Sequence, residues 1–478
     1  MNDTTQPNKM ETDNTGTSRS KTGIIVAVII AVLALAVYGG GVFYYSGHFP
    51  HNTTINHIKV GEMTVPEAEK AFTKQIASHK ISIKEKERTE VINAADVDTQ
   101  VDVGNQISDV ASSMNPWLWF TCLSGEKDYT IRPDVTFDKN KLTELVNELE
   151  CFKKENITKP QDAYLKAGET QFEIVPEVLG NKVKKDELQN AVEKNLVSGA
   201  TSIHLEKEGL YKLPEYYAKD DVVKQALEKA NQFTHGSVTY DFKYTTETVD
   251  YNTSKDWIKV SKDFKVTLNK DKIGDYVEQL GAKYNTMGAS RNFTTAYGSK
   301  IHVYGGDYGW KIYFDKEKSK LIKNIKSGEN ITREPVYSYK GVCRNSAKDD
   351  IGDSYVEVSI QNQELWLFKK GKCILNSSIV TGDPTKGHST YTGVYSITYK
   401  QSPATLTGGN AAGGSYSSDV TFWMPFNGGQ GLHDAHWRSS FGGSIYRGNG
   451  SHGCVNCPYS TAATLYKHVK AGFPVVIY

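Results

Sequence analysis

An excess of charge of either sign is lacking in this sequence, where 56 Lys and Arg almost cancel 55 Asp and Glu and leave a formal net charge of +1. No basic surplus points to nucleic acid, and no acidic tail points to a charged partner. A second C-x-x-C is also missing, because Cys454-Val455-Asn456-Cys457 is the only one that the six cysteines form. A zinc site would therefore have to recruit His433 or His452, and a thioredoxin-like pair lacks the βαβ pattern it needs. No metal and no cofactor is expected.

Between Ile24 and Tyr45 charge is absent altogether. As a helix rising about 1.5 Å per residue, this run crosses a bilayer core of roughly 30 Å. Lys9, Arg19 and Lys21 precede it and the ten residues after it hold no Lys or Arg, which puts the N-terminus in the cytoplasm and the remainder outside. Ala34-Leu35-Ala36 has the small residues of a signal-peptidase site but lies inside the apolar run. A single-pass anchor over 23–45 is therefore expected over a cleaved leader. Residues 1–22 are polar and aperiodic and read as a cytoplasmic tail. In an exported chain, Cys122 with Cys151 and Cys343 with Cys373 are candidate disulfides, and spacing does not choose between pairings.

What is present suggests several domains, the usual outcome for 478 residues. After the apolar run, 46–130 reads as a membrane-proximal α/β region with a helix from Val65, capped by Thr64 and carrying Pro66 in its first turn. An internal repeat follows: Val135-Thr136-Phe137-Asp138-Lys139 matches Val266-Thr267-Leu268-Asn269-Lys270, and Gly180 to Gly199 aligns with Gly309 to Gly328. Each copy is a short strand, an Asp or Asn cap and an amphipathic helix, with Leu213 to Tyr217 and Glu334 to Tyr337 as equivalent exit strands. Two related α+β modules, 131–245 and 246–345, are expected. From Tyr355 period-two strands and Gly-rich turns take over, with one helix from Ser460 to Ala471 and a closing strand at Pro474, so 352–478 reads as a mainly β domain.

His433 and Cys454 carry the chemistry, since a thiol becomes an effective nucleophile beside a base such as imidazole. Gly453 allows a tight turn whose amides can face a developing oxyanion. Asp434 can fix the imidazole tautomer through its carboxylate or its backbone carbonyl. Trp423, Met424, Trp437 and Tyr446 are candidates to line a substrate groove, although aromatic packing in a β domain is the commoner use of such residues. Cys457 is a candidate redox partner of Cys454, with burial in the core as the alternative.

The pattern His433, seventeen intervening residues, then Ser451-His452-Gly453-Cys454-Val455-Asn456 resembles the L,D-transpeptidase catalytic domain of the YkuD type. Trp423 to Phe426, Gly431 to Asp434, Phe441 to Gly443 and Gly472 to Val475 extend the likeness over 352–478, and the repeated modules resemble the peptidoglycan-binding domains of membrane-anchored Gram-positive members. The resemblance implies a YkuD-like sandwich at the cell wall, with Cys454 as acylated nucleophile, His433 as base and Asp434 as orienting partner. Ser451, His452 and Gly453 would shape the oxyanion or acceptor side, and Asn456 would be structural. It implies peptidoglycan as partner, carbapenems as covalent inhibitors, and a reaction that releases D-Ala from a tetrapeptide stem and forms a 3→3 cross-link. The residue at stem position 3, diaminopimelate or Lys, stays open. A catalytically inactive wall-binding scaffold and a cysteine peptidase acting on stem peptides are the alternatives; NlpC/P60-like enzymes usually place Cys before His, the reverse of the order here.

Overall fold

The structure, a computed structural model, describes residues 21–409 and 415–478; all but the end of the expected cytoplasmic tail lies outside them. The chain divides into two units, one of residues 1–162 and 177–215, the other of 163–176 and 216–478.

In the first unit the apolar run forms one helix, Lys21–Tyr45, long and apolar enough by length and composition to cross a membrane. Its end is packed by the segment Pro116–Cys122. The Tyr38 hydroxyl donates to the Trp117 carbonyl at 2.9 Å, Tyr45 stacks on Trp119, and the Trp119 ring occupies the space that a Cβ on Gly41 would need. The helix Val65–Ala77 begins as expected: the Thr64 amide donates to Glu67 Oε2 at 2.9 Å, and Pro66 sits where a missing N–H loses nothing.

The repeat is visible in strand order. In the first copy Lys80–Lys84 and Thr89–Asn93 make an antiparallel hairpin, helices Lys139–Glu148 and Lys185–Ser198 follow, and Ser202–His204 returns parallel to the first strand. The second copy runs Val238–Asp241, Thr246–Val249, Lys270–Tyr284, Phe314–Ser327, with Ile331–Arg333 parallel to Val238–Asp241. Equivalent residues act alike. Asp138 and Asn269 each accept two amides at a helix start, and Gly199 and Gly328 end helices at φ 73° and 69°, where glycine alone is relaxed.

The first copy was expected from 131, but its core already includes Ile81, Ile83 and Ile92 with Leu142, Val146, Leu188 and Val192. A short hairpin's period of two does not announce which distant helices will cover it. No strand forms at 213–217; Tyr211 makes an isolated bridge to Val183 instead, whereas Tyr337–Tyr339 does pair, with Lys311–Ile312. All six cysteines are free, which corrects both candidate disulfides: Cys151 lies in the module core, and Cys373 is exposed on a strand at the edge of its sheet.

In the second unit the C-terminal domain is a sandwich. A five-stranded sheet runs in the order Lys372–Ser378, Glu364–Lys369, Tyr355–Ser359, Pro474–Ile477, Gly393–Ser396, and a three-stranded sheet in the order Trp423–Asn427, Gln430–Asp434, Val455–Cys457. Val356, Val358, Leu365 and Leu367 of the first sheet share one core with Phe426, Leu432 and Val455 of the second, and with Ala462 and Leu465 of helix Tyr459–His468.

Arg291, on a hairpin of the second module, and Asp350, just before the sandwich, are 1% and 0% exposed in their side chains. They bond bidentately, Nε to Oδ1 at 2.8 Å and Nη2 to Oδ2 at 2.9 Å, and the guanidinium also donates to the carbonyls of Ala289, Thr286 and Tyr308. Removing one partner strands a buried charge, so Asp350→Ala should destabilise the second unit by about 3–5 kcal/mol. Denaturant unfolding followed by near-ultraviolet circular dichroism checks this, and a shift equivalent to less than ~1 kcal/mol, the surface-pair range, would contradict it.

Candidate active site

The strand Gln430–Asp434 runs antiparallel to Trp423–Asn427 and parallel to Val455–Cys457, with Leu432 opposite Val455, His433 opposite Asn456 and Asp434 opposite Cys457. Side chains alternate between faces of a strand. Leu432, Val455 and Cys457 therefore enter the core, while His433 and Asn456 line a pocket of about 210 Å³ together with Cys454, His452, Ser451, Trp437 and Arg438. Two residues of the hairpin Ala404–Gly409/Ser415–Val420, Leu406 and Ser418, complete its wall.

His433 is 3% exposed, and its Nδ1 lies 2.8 Å from the Asp434 carbonyl. A carbonyl only accepts, so Nδ1 carries the proton and Nε2 keeps its lone pair. The Asp434 carboxylate is engaged elsewhere, accepting the amides of Phe422 at 2.8 Å and Thr421 at 3.1 Å. Of the two ways in which Asp434 was expected to orient the imidazole, the carbonyl is the one present. Burial lowers the His433 pKa against the raising influence of that hydrogen bond, and burial pushes the Cys454 thiol up to about 11. Both groups thus rest neutral near pH 7, with the thiol donating to the Gly429 carbonyl at 3.4 Å.

Ser451 holds the turn before the cysteine: its hydroxyl donates to the Cys454 carbonyl and accepts the Gly453 amide at 3.0 Å. Gly453 has φ 115°, and a Cβ there would fall 2.6 Å from Gln430 Nε2, so glycine is required. Because its own N–H is committed to Ser451, Gly453 contributes the shape of the turn, and any amide facing an oxyanion would be a neighbour's. His452 faces the pocket with its ring 4.5 Å from that of His388; burial first, then the charges of His388 and Lys386, lower its pKa.

Trp437 stands at the pocket with its ring 5.9 Å from His433, and Trp423 backs the site, clustered with Cys454, Ala404 and Val420. Met424 and Tyr446 are corrections. Met424, next to Trp423 on its strand, points to the opposite face and is fully buried in the core; Tyr446 is buried and does not line the pocket, its hydroxyl accepting from Arg447 Nε at 3.0 Å. Arg438 escaped sequence reasoning, although no Asp or Glu occurs from Ala435 to Gly450 to neutralise it.

Two family models match the chain: the L,D-transpeptidase catalytic domain (YkuD) over 353–477, and the "Putative peptidoglycan binding domain" over 75–204 and 223–333. A Cys-to-Ser variant of the Enterococcus faecium L,D-transpeptidase is 33% identical, over 53% of this chain and 100% of that one, with TM-score 0.45. The chain belongs to the L,D-transpeptidase family. The Ldtfm-avibactam carbamoyl enzyme is 34% identical, over 54% of this chain and 98% of that one, with TM-score 0.45. The E. faecium catalytic domain acylated by ertapenem is 41% identical, over 26% and 97%, with TM-score 0.25. No curated protein matches.

In this L,D-transpeptidase Cys457 is not placed as a redox partner. Three positions after Cys454, it falls on the core face, fully buried, with Sγ 3.6 Å from the Val455 carbonyl. A buried neutral thiol at Cys454 has a direct consequence for reactivity, because only thiolate alkylates. Iodoacetamide labelling of Cys454, read by peptide mass spectrometry, should keep accelerating beyond pH 9; a plateau reached below pH 7 would reveal a resting thiolate–imidazolium pair instead.

Proposed function

We propose that Cys454 and His433 carry out L,D-transpeptidation through a thioester. The tautomer of His433 supports this most directly, since the Asp434 carbonyl at 2.8 Å reserves Nε2 as a base in the pocket that Cys454 lines. Sγ attacks the carbonyl of stem residue 3 as Nε2 removes the thiol proton. The C–N bond to the terminal D-Ala then breaks, His433 returns the proton to the departing amine, and a thioester remains. The side-chain amine of residue 3 on another stem attacks it, His433 accepts a proton from that amine, and collapse restores the thiol and leaves a 3→3 amide. The Cys454 amide, which donates to no group among the described residues, is the natural donor to the oxyanion.

The modules belong to a peptidoglycan-binding family and would hold the sandwich against its polymer. Packing of Trp117, Trp119 and Phe120 along the end of the apolar helix favours a retained anchor, because a cleaved leader has no use for a fitted partner. The basic residues before the helix orient the folded units outward. Accordingly the protein should remain in membranes washed with alkaline carbonate, and its release as a shortened chain would replace the anchor by a leader.

Acylation is tested by intact mass after incubation with a tetrapeptide stem or with ertapenem, the compound that acylates the E. faecium catalytic domain. Cys454→Ala should abolish the adduct while the protein still sediments with purified peptidoglycan, and His433→Ala should slow acylation by roughly 10²- to 10⁴-fold. Because burial lowers the His433 pKa, the neutral base persists in acid and the wild-type rate should hold to below pH 6.5. Adduct formation by Cys454→Ala, or an unchanged rate in His433→Ala, would remove the corresponding role.

A further inference from the structure

We propose that Arg438 forms the carboxylate subsite of the donor, holding the terminal carboxylate of the D-amino acid that leaves when Cys454 is acylated; this rests on the reaction proposed above. Arg438 lies just beyond the strand that carries His433, its amide donating to the Ala435 carbonyl at 3.0 Å, and it lines the same pocket as His433 and Cys454. Its Nε is buried and has no hydrogen-bond partner among the described residues. Among the described residues no carboxylate answers it: no Asp or Glu lines the pocket, and the Asp434 carboxylate is committed to two amides.

Other buried guanidinium groups in this chain are engaged by neighbours; Arg344, whose Nε is also unpartnered, still donates through its Nη atoms to the Tyr337 hydroxyl and the Tyr284 carbonyl. Arg291 has Asp350 and three carbonyls, and Arg333 has Glu317 and Asn324. An unpaired, half-buried guanidinium at the reaction centre bears a desolvation cost that an incoming anion relieves. Its planar fork matches a carboxylate with two parallel bonds. In a donor stem the terminal carboxylate is one residue beyond the carbonyl that the thiol attacks, so nucleophile and carboxylate anchor must share one pocket, as Cys454 and Arg438 do. Desolvation lowers the Arg438 pKa, and its positive charge is among the influences that lower that of His433. A bound carboxylate cancels that charge, so donor binding strengthens the base.

A side-chain carboxylate on a diaminopimelate third residue offers the same chemistry from a second source. The test therefore uses the full chain and four tetrapeptides, with Lys or diaminopimelate at position 3 and the terminal D-Ala as acid or amide, in wild type, Arg438→Gln and Arg438→Lys. The wild type should favour acids over amides by roughly 10- to 100-fold in kcat/KM for acylation, the range of a charged hydrogen-bonded contact. Arg438→Gln should lose that preference by slowing on the acids alone, and Arg438→Lys should keep part of it through charge without the fork. Equal slowing on acids and amides would overturn the proposal and leave Arg438 a structural residue. Losses confined to diaminopimelate donors would overturn the terminal assignment in favour of the side-chain carboxylate. If the wild type forms no acyl-enzyme with any donor, the thioester reaction itself is wrong, and the subsite with it.

Discussion

Parallel pairing of Gln430–Asp434 with Val455–Cys457 is the constraint from which the site follows. Register puts His433 opposite Asn456, and alternation sends Leu432, Val455 and Cys457 into the core. A slip of one residue would exchange the faces, burying the imidazole among aliphatic side chains and turning Leu432 to the pocket. Such pairing needs a long crossover, and the segment between the two strands is also where Trp437, Arg438 and the Ser451 turn reside. Thus the seventeen-residue spacer in the motif has a geometric meaning: it is the connection that lets two parallel strands bring His433 and Cys454 to one pocket.

The same burial that fixes the pair also sets its protonation. Desolvation disfavours a charge on either partner, raising the Cys454 thiol to about 11 and lowering His433, so the resting site is uncharged apart from Arg438. A neutral thiol is a modest nucleophile, so the reaction proposed above would rely on the neutral imidazole, which the same burial favours. In that proposed reaction proton transfer accompanies attack, and the Asp434 carbonyl would matter more than the Asp434 carboxylate because it decides which nitrogen carries the proton. The carboxylate has a different task. By accepting the Thr421 and Phe422 amides it fixes the start of the strand that places Trp423 behind Cys454.

Much of this was legible in the sequence, for reasons that differ by element. Thr64 with Glu67, Asp138, Asn269, Gly199 and Gly328 declare helix ends through local chemistry, and the repeat pairs them across the two modules. The sandwich strands declare themselves through period two, and the nucleophile motif through contiguous residues. What was not legible is long-range. The hairpin Lys80–Lys84/Thr89–Asn93 belongs with helices that begin at Lys139. Another hairpin, Arg291–Thr294/Lys300–Val303, sends Phe293 and Val303 out of its own module to pack with Val394 and Val476 of the sandwich. Boundaries drawn by composition miss such exchanges because the exchanged residues are ordinary for either core.

Face assignment explains the remaining discrepancies at the site. Trp423 and Met424 are neighbours in sequence, yet one backs Cys454 and the other lies in the core, and Cys457 repeats the lesson three residues beyond Cys454. A motif names the residues near a reaction but not their directions; direction comes from strand phase, which is known only once one residue of the strand is placed. With His433 fixed on the pocket face, phase alone predicts that Asp434 turns away and that its carboxylate cannot reach the imidazole from the pocket side. Arg438 escapes even this rule, since it follows the strand in a turn where no period applies. Its role has to be argued from what it lacks, a partner, in a chain whose other buried arginines named here have theirs.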